Sequence, residues 1–278
     1  MKRKVLFVAS LIMATATFAQ DGLTSKKGEA ILPEAGDWAL GFDAAPFINY
    51  FGNFANGTTN NSMNAAWQTN DASIVGKYFK DEKTAYRGRL RIGFGSTAQD
   101  TNQDTSSTLT PVFVTGENST SNLNFTLGVG IEKRKGNTRI QGYYGGEILI
   151  AFSSNSTQTD YGIALSQNFQ NGGNKRTLEV SSSAFSFGLR GFIGVEWFIA
   201  PKVSLGAEYG WGLGFTSTGG NETDFEVWDA TANGGNGAVL TGTDLAPLGD
   251  STGFSLDTDN NGGGIFGSSG QINLIFHF

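Results

Sequence analysis

A single histidine, His277, and no cysteine limit the chemistry open to this chain. Acyl transfer by a histidine-activated nucleophile, thiolate nucleophiles and thiolate zinc sites all draw on those two residue types. One metal candidate remains. Asp257-Thr258-Asp259-Asn260-Asn261-Gly262 fits the opening six positions of a calcium loop, with Asp257, Asp259 and Asn261 as ligands, but Ser268 occupies the twelfth position where a bidentate Glu is expected. Asp, Asn and Gly clusters are also ordinary turn chemistry, and that reading is preferred. The more informative grouping is ten charges on alternate positions of otherwise apolar-alternating segments: Asp43, Arg87, Arg89, Arg91, Glu132, Arg139, Glu147, Arg190, Glu196 and Glu208. Five are positive and five negative. Balanced charges confined to one face point to a closed network of ion pairs rather than to a reaction. No carboxylate pair stands apart from the set as an acid and base couple, so the chain reads as non-enzymatic and without a cofactor.

The elements that position these charges begin after an export signal. Lys2, Arg3 and Lys4 precede an apolar run from Val5 to about Ala14, and Thr17-Phe18-Ala19 puts small residues at its first and third positions before Gln20. This pattern predicts a secretory signal peptide over 1–19, cleaved after Ala19. Its apolar run is shorter than the roughly 18 to 20 residues a membrane-spanning helix needs, and no later segment approaches that length. A helical membrane protein is therefore excluded. Loss of the three positive charges takes the formal net charge from −6 to −9. An acidic chain is the reverse of what phosphate backbones select, which excludes nucleic acid as a partner. Forty glycines and five prolines suit strands that curve tightly.

Period-two alternation marks the strands. From Thr138 to Phe152, Ile140, Gly142, Tyr144, Gly146, Ile148, Ile150 and Phe152 share one face, and Arg139, Gln141, Tyr143, Glu147 and Leu149 share the other. The segment before it alternates in the same way, with Leu123, Phe125, Leu127, Val129 and Ile131 on its apolar face, and Lys135-Gly136-Asn137 joins the two as a hairpin. A second hairpin pairs Phe185 to Trp197 with Val203 to Phe215 through Ala200-Pro201-Lys202. A third pairs Ser73 to Lys80, whose facing is ambiguous, with Tyr86 to Phe94 through Asp81-Glu82-Lys83. Asp37 to about Tyr50 and Phe266 to Phe278 complete eight strands. Short turns alternate with long polar stretches near 52–72, 96–121, 153–183 and 217–264, which are expected to be loops; 153–183 and 217–264 each leave room for a further hairpin, beyond the membrane or raising the count to ten, with Tyr161 to Leu165 and Thr177 to Val180 as candidates.

The fold class that follows is all-β: an eight-stranded antiparallel transmembrane β-barrel with short periplasmic turns and four long extracellular loops. Residues 20–36 form a periplasmic N-terminal segment and 37–278 the barrel. An eight-stranded barrel is only wide enough for side chains to fill, so the charges opposite the aliphatic face pair inside it. Trp38, Tyr78, Tyr86, Trp197, Phe276 and Phe278 near the short turns, and Phe94, Phe152, Phe185, Phe215 and Phe266 near the long stretches, are the expected interfacial girdles. Phe187 to Trp197 spans about 33 Å of strand, or about 25 Å along the normal at a tilt of about 40°, which matches the apolar band of such barrels.

The signal peptide, the eight strands and the final Ile272-Asn273-Leu274-Ile275-Phe276-His277-Phe278 resemble the small outer-membrane β-barrel proteins of Gram-negative bacteria, the group of OmpX-like proteins and the transmembrane part of OmpA-like proteins. The resemblance implies that Ile272, Leu274, Phe276 and Phe278 form the insertion signal read by the barrel-assembly machinery. It also implies residence in the outer membrane, among lipid and lipopolysaccharide. The expected role is a non-enzymatic anchor presenting its loops for adhesion, surface interaction or association with a larger outer-membrane complex. A narrow channel for small solutes or ions is the alternative, and a lipid-modifying outer-membrane enzyme ranks below both. The last long stretch holds Glu222, Asp224, Glu226, Asp229, Asp244 and Asp250 among Phe225, Trp228 and Leu240, so the acidic excess falls on the outer side.

Overall fold

The computed structural model describes residues 23–44, 73–104, 113–170, 174–245, 250–258 and 270–278. The signal peptide, the first predicted strand beyond Ala44, and Asp259, Asn261 and Phe266 lie outside the described residues. The described residues form one antiparallel sheet of eleven strands: β1 (Trp38–Asp43), β2 (Ile74–Asp81), β3 (Thr84–Asp104), β4 (Phe113–Lys135), β5 (Ile140–Asp160), β6 (Arg176–Ala200), β7 (Val203–Thr218), β8 (Glu222–Asp229), β9 (Ala238–Leu245), β10 (Ser251–Thr258) and β11 (Gln271–His277). β1 to β7 pair in chain order, β7 pairs with β11, and β11 pairs with β1. Eight strands thereby close into a ring.

The three further strands lengthen two members of that ring. Along β6, the partner passes from β7 at Ala184↔Thr218 to β8 at Ser181↔Glu222, so β8 continues the column of β7. Along β7, it passes from β11 at Glu208↔Gln271 to β10 at Trp211↔Thr258, and β9 pairs back onto β8. Among the described residues the strands fall into eight columns, the last two interrupted.

The long polar stretches differ from expectation. Most of 96–121 and 153–183 is strand: β3 and β4 stay in register up to Asp104↔Phe113, and β5 and β6 up to Gln158↔Glu179. The stretch 217–264 holds β8, β9 and β10. Apolar alternation stops near Phe94, Leu123, Phe152 and Phe185 because both faces of the sheet become polar beyond them, while the backbone ladder, which needs no particular side chain, continues. Within the described residues the first strand runs six residues, Trp38 to Asp43.

Around the ring the outer face exposes aliphatic side chains, with Ile92 63%, Val129 59% and Ile193 57% exposed. Inward positions are closed. Phe79, Leu149 and Phe198 are completely buried beside the charged side chains described below. The first of the buried residues, Ile31, belongs to the segment before β1, which is joined to the ring by Gly36 N–H donating to Phe79 O (2.7 Å) and Phe79 N–H to Asp37 O (2.9 Å). At the other terminus Trp38 and Phe278 exchange two backbone hydrogen bonds, 2.8 and 2.9 Å. Among the described residues no helix is long and apolar enough to cross a membrane.

Candidate functional site

Inward parity brings charges from six strands of the ring, and the histidine of a seventh, into two tiers. In the lower tier, near the short turns, Lys77 of β2 reaches Glu132 of β4 (2.9 Å) and Glu196 of β6 (3.1 Å). Arg134 of β4 joins the same two carboxylates at 2.9 Å each and donates to Gln141 of β5 at 2.9 Å. Phe79 and Phe198 face Arg134 from 5.3 and 5.7 Å and close the tier with their rings.

The upper tier centres on Glu147 of β5 and Glu208 of β7. Arg190 of β6 bridges them at 2.7 and 2.9 Å. Arg89 reaches Glu147 at 3.0 Å and Glu208 at 3.4 Å, and Arg87 forms a two-pronged pair with Glu208, its Nη2 donating at 2.9 Å and its Nη1 pairing with Oε2. Arg87 also lies 3.8 Å from Glu132, which links the tiers, and its guanidinium rests 4.3 Å from the centre of the Phe192 ring. Every charged side chain here is at most 3% exposed.

Glycine makes room for these long side chains. A Cβ on Gly210 of β7 would stand 2.6 Å from Arg190 Nε, and one on Gly194 would collide with the Tyr143 ring. The high glycine content is partly this tiling of large side chains against bare backbone on the neighbouring strand.

Seven of the ten sequence-predicted charges meet here: Arg87, Arg89, Glu132, Glu147, Arg190, Glu196 and Glu208. Asp43 and Arg91 stand higher on the inward parity, half-buried. Arg139 is a correction: it lies in the turn between β4 and β5, where its carbonyl accepts from Phe198 N–H at 2.7 Å. Sequence reasoning passed over Lys77 and Arg134. Val75, Lys77 and Phe79 mix three residue types on one face, and Arg134 reads as part of the basic turn Lys133-Arg134-Lys135, although its spacing of two from Glu132 was the available signal.

His277 lies inward in the lower tier with Ser204 and Glu196. Its Nε2 is 3.0 Å from Ser204 Oγ and 3.0 Å from Glu196 Oε1, and Ser204 Oγ donates to the same oxygen at 2.6 Å. A catalytic relay engages the two ring nitrogens with different partners. Here one nitrogen meets both, Nδ1 has no partner, and all three residues are at most 4% exposed. Ile272, Phe276 and Phe278 point outward, 41%, 42% and 67% exposed, with Leu274 on the same parity. Asp257 stands within β10, ladder-paired with Gly212, and among the described residues no group of three or more potential metal ligands comes together.

At the short-turn end Lys202 reaches Asp37 at 2.8 Å. Partial burial works against the Asp37 carboxylate, but the bonds from Lys202 and Glu34 N–H outweigh it and hold its pKa below the ordinary value.

No protein-family model and no curated protein sequence matches the chain. Among solved structures it is similar to the crystal structure of the outer membrane protein OprG from Pseudomonas aeruginosa, at 11% identity and a TM-score of 0.31, the match covering 89% of this chain and 98% of that one.

Proposed function

We propose that this protein is a β-barrel of the bacterial outer membrane, closed within the membrane, that serves as a non-enzymatic anchor for a wall of strand rising above the surface. The observation that carries the reading is the pair of charge tiers filling the ring at the level of its aliphatic outer face. An outer face with this much exposed aliphatic surface is stable in lipid and a liability in water. A buried, mutually paired interior is what an eight-stranded barrel accommodates. The chain alternation of short turns and long excursions supports the same placement.

The wall is the working surface. β4, with 23 residues, measures about 76 Å at 3.3 Å per residue, or about 58 Å along the normal at a tilt of about 40°. That is more than twice the apolar band of about 25 Å. The excess stands outside, carrying the acidic residues of β8 and β9, for adhesion, surface contact or association with a larger outer-membrane complex. In this reading Ile272, Leu274, Phe276 and Phe278 are presented to the barrel-assembly machinery during insertion.

The alternative of a narrow channel needs a continuous wet path, and the two tiers work against one. Conductance of the purified protein in planar bilayers tests the choice. The expected record is flat; stable channels abolished by replacing Arg89 or Glu147 would overturn the anchor reading.

A further inference from the structure

Gly194 and Gly210 make room for a neighbouring side chain, but Gly76 of β2 and Gly88 of β3 do not: a Cβ on either would meet nothing within 4 Å. The two stand directly opposite each other on the outer face, and the ladder is unbroken there, so no bulge accounts for them. A glycine inside a strand costs stability. Where no neighbour requires it, it marks close approach from outside.

The pair floors a groove of about 500 Å³ whose walls are Trp38, Tyr78 and Tyr86. These rings lie in register on β1, β2 and β3, Trp38 4.9 Å from Tyr78, and Tyr78 stacked 6.5 Å from Tyr86. Lys80 continues the outward row two residues past Tyr78. Lys133 of β4 stands opposite Thr84, its Nζ donating to Thr84 Oγ1 at 2.8 Å. Two residues of strand at a tilt of about 40° cover about 5 Å of the normal, which sets both ammonium groups at headgroup depth, just beyond the aromatic belt.

Charge identifies the occupant. With Lys83 and Lys135 the rim beside the groove carries four lysines against Asp81 and Glu82. Asp81 Oδ1 is already taken by Lys83 N–H at 2.8 Å. The far ends of β3, β4 and β5 have the reverse sign, with Asp100, Glu117 and Asp160 directly opposite one another. An anionic headgroup is therefore attracted at the short-turn end and repelled at the other.

We infer that the groove is a site for one anionic phospholipid of the leaflet on the short-turn side. The inference rests on the outer-membrane reading above. The phosphate meets Lys80 and Lys133, and an acyl chain lies along the bare backbone of Gly76 and Gly88 beside the three aromatic rings. Contact with lipid follows for any aliphatic barrel face; selection of headgroup charge at one groove does not.

The test is native mass spectrometry of the natural chain released from micelles that hold equal amounts of phosphatidylglycerol and phosphatidylcholine with identical acyl chains. One phosphatidylglycerol should stay bound, with a preference on the order of tenfold, as two lysines beside one headgroup allow. Lys80→Gln/Lys133→Gln should lose the preference, and Gly88→Leu should lose the bound lipid by filling the floor. Lys175→Gln, next to the outer end of β6, should keep both. A preference that survives the lysine changes, equal retention of several copies of both lipids, or glycerol phosphate alone held as firmly as the whole lipid would overturn the inference. So would a lysine-dependent preference for rough lipopolysaccharide over phosphatidylglycerol. Failure of the natural chain to insert into phosphatidylcholine vesicles, read by its protection from trypsin, would instead overturn the outer-membrane reading, and the inference with it.

Discussion

Lys77→Met removes one of the two buried cations of the lower tier, and its cost follows from the geometry. Lys77 Nζ lies 2.9 Å from Glu132 and 3.1 Å from Glu196, and both carboxylates are completely buried. After the change they share a single guanidinium nitrogen, Arg134 Nη1, at 2.9 Å from each. Removing one partner of a buried pair costs roughly 3 to 5 kcal/mol because a charge is left uncompensated. Arg134 still serves both carboxylates, which puts Lys77→Met at the lower end, about 3 kcal/mol. The companion Lys77→Met/Glu132→Gln restores the balance of charge, leaving Glu196 with Arg134 and His277. It should be less destabilised than Lys77→Met alone, with a coupling of about 1 to 3 kcal/mol in the double-mutant cycle. Urea unfolding from lipid vesicles, followed by the fluorescence of the five tryptophans, measures both. A Lys77→Met variant within about 1 kcal/mol of the natural chain, or a double variant less stable than it, would refute the argument from paired burial.

Gly210→Ala should cost about 1 to 3 kcal/mol by driving a methyl group into the Arg190 guanidinium, whereas Gly88→Ala, where the added Cβ meets nothing within 4 Å, should be close to neutral; the same vesicle titration ranks them. Asp37→Asn should cost about 0.5 kcal/mol at neutral pH through the Lys202 pair. Because the Asp37 pKa is lowered on folding, that difference is present above the unfolded value near 3.8 and shrinks as pH falls through the lower, folded value. Melting measured across that acid range checks the sign. Deleting Phe278 removes both backbone bonds to Trp38 at the seam of the ring, so barrel assembly should fall while transfer across the inner membrane continues, read by fractionation and heat-modified gel migration.

The ring was legible in sequence wherever its two faces differ in chemistry. Thr138 to Phe152 announced its strand because aliphatics alternate with Gln141, Tyr143 and Glu147. The same logic failed above the belt, where Ser153 to Asp160 is strand in the structure but polar on both faces. Inward placement of Arg87, Arg89, Arg190 and four glutamates could be read from parity, yet their pairing could not, since it depends on which strands face each other across the ring. Lys77 was hidden by company: its inward neighbours are Val75 and Phe79, residues that an outward face carries equally well. The interruption of the last two columns had no sequence mark beyond Gly219 and Gly220, because β8 and β10 alternate weakly.

In the outer-membrane function proposed above, aliphatic side chains face lipid while charges face inward. The absence of cysteine makes a labelling scan along β6 direct. A polarity-sensitive dye attached to single cysteines at Phe187, Leu189, Ile193 and Val195 in vesicles should emit blue-shifted light and be quenched by lipid-borne quenchers, while cysteines at Gly188 and Phe192 should be shielded from them. Quenching that ignores this alternation, or that falls on the second set, would contradict the account.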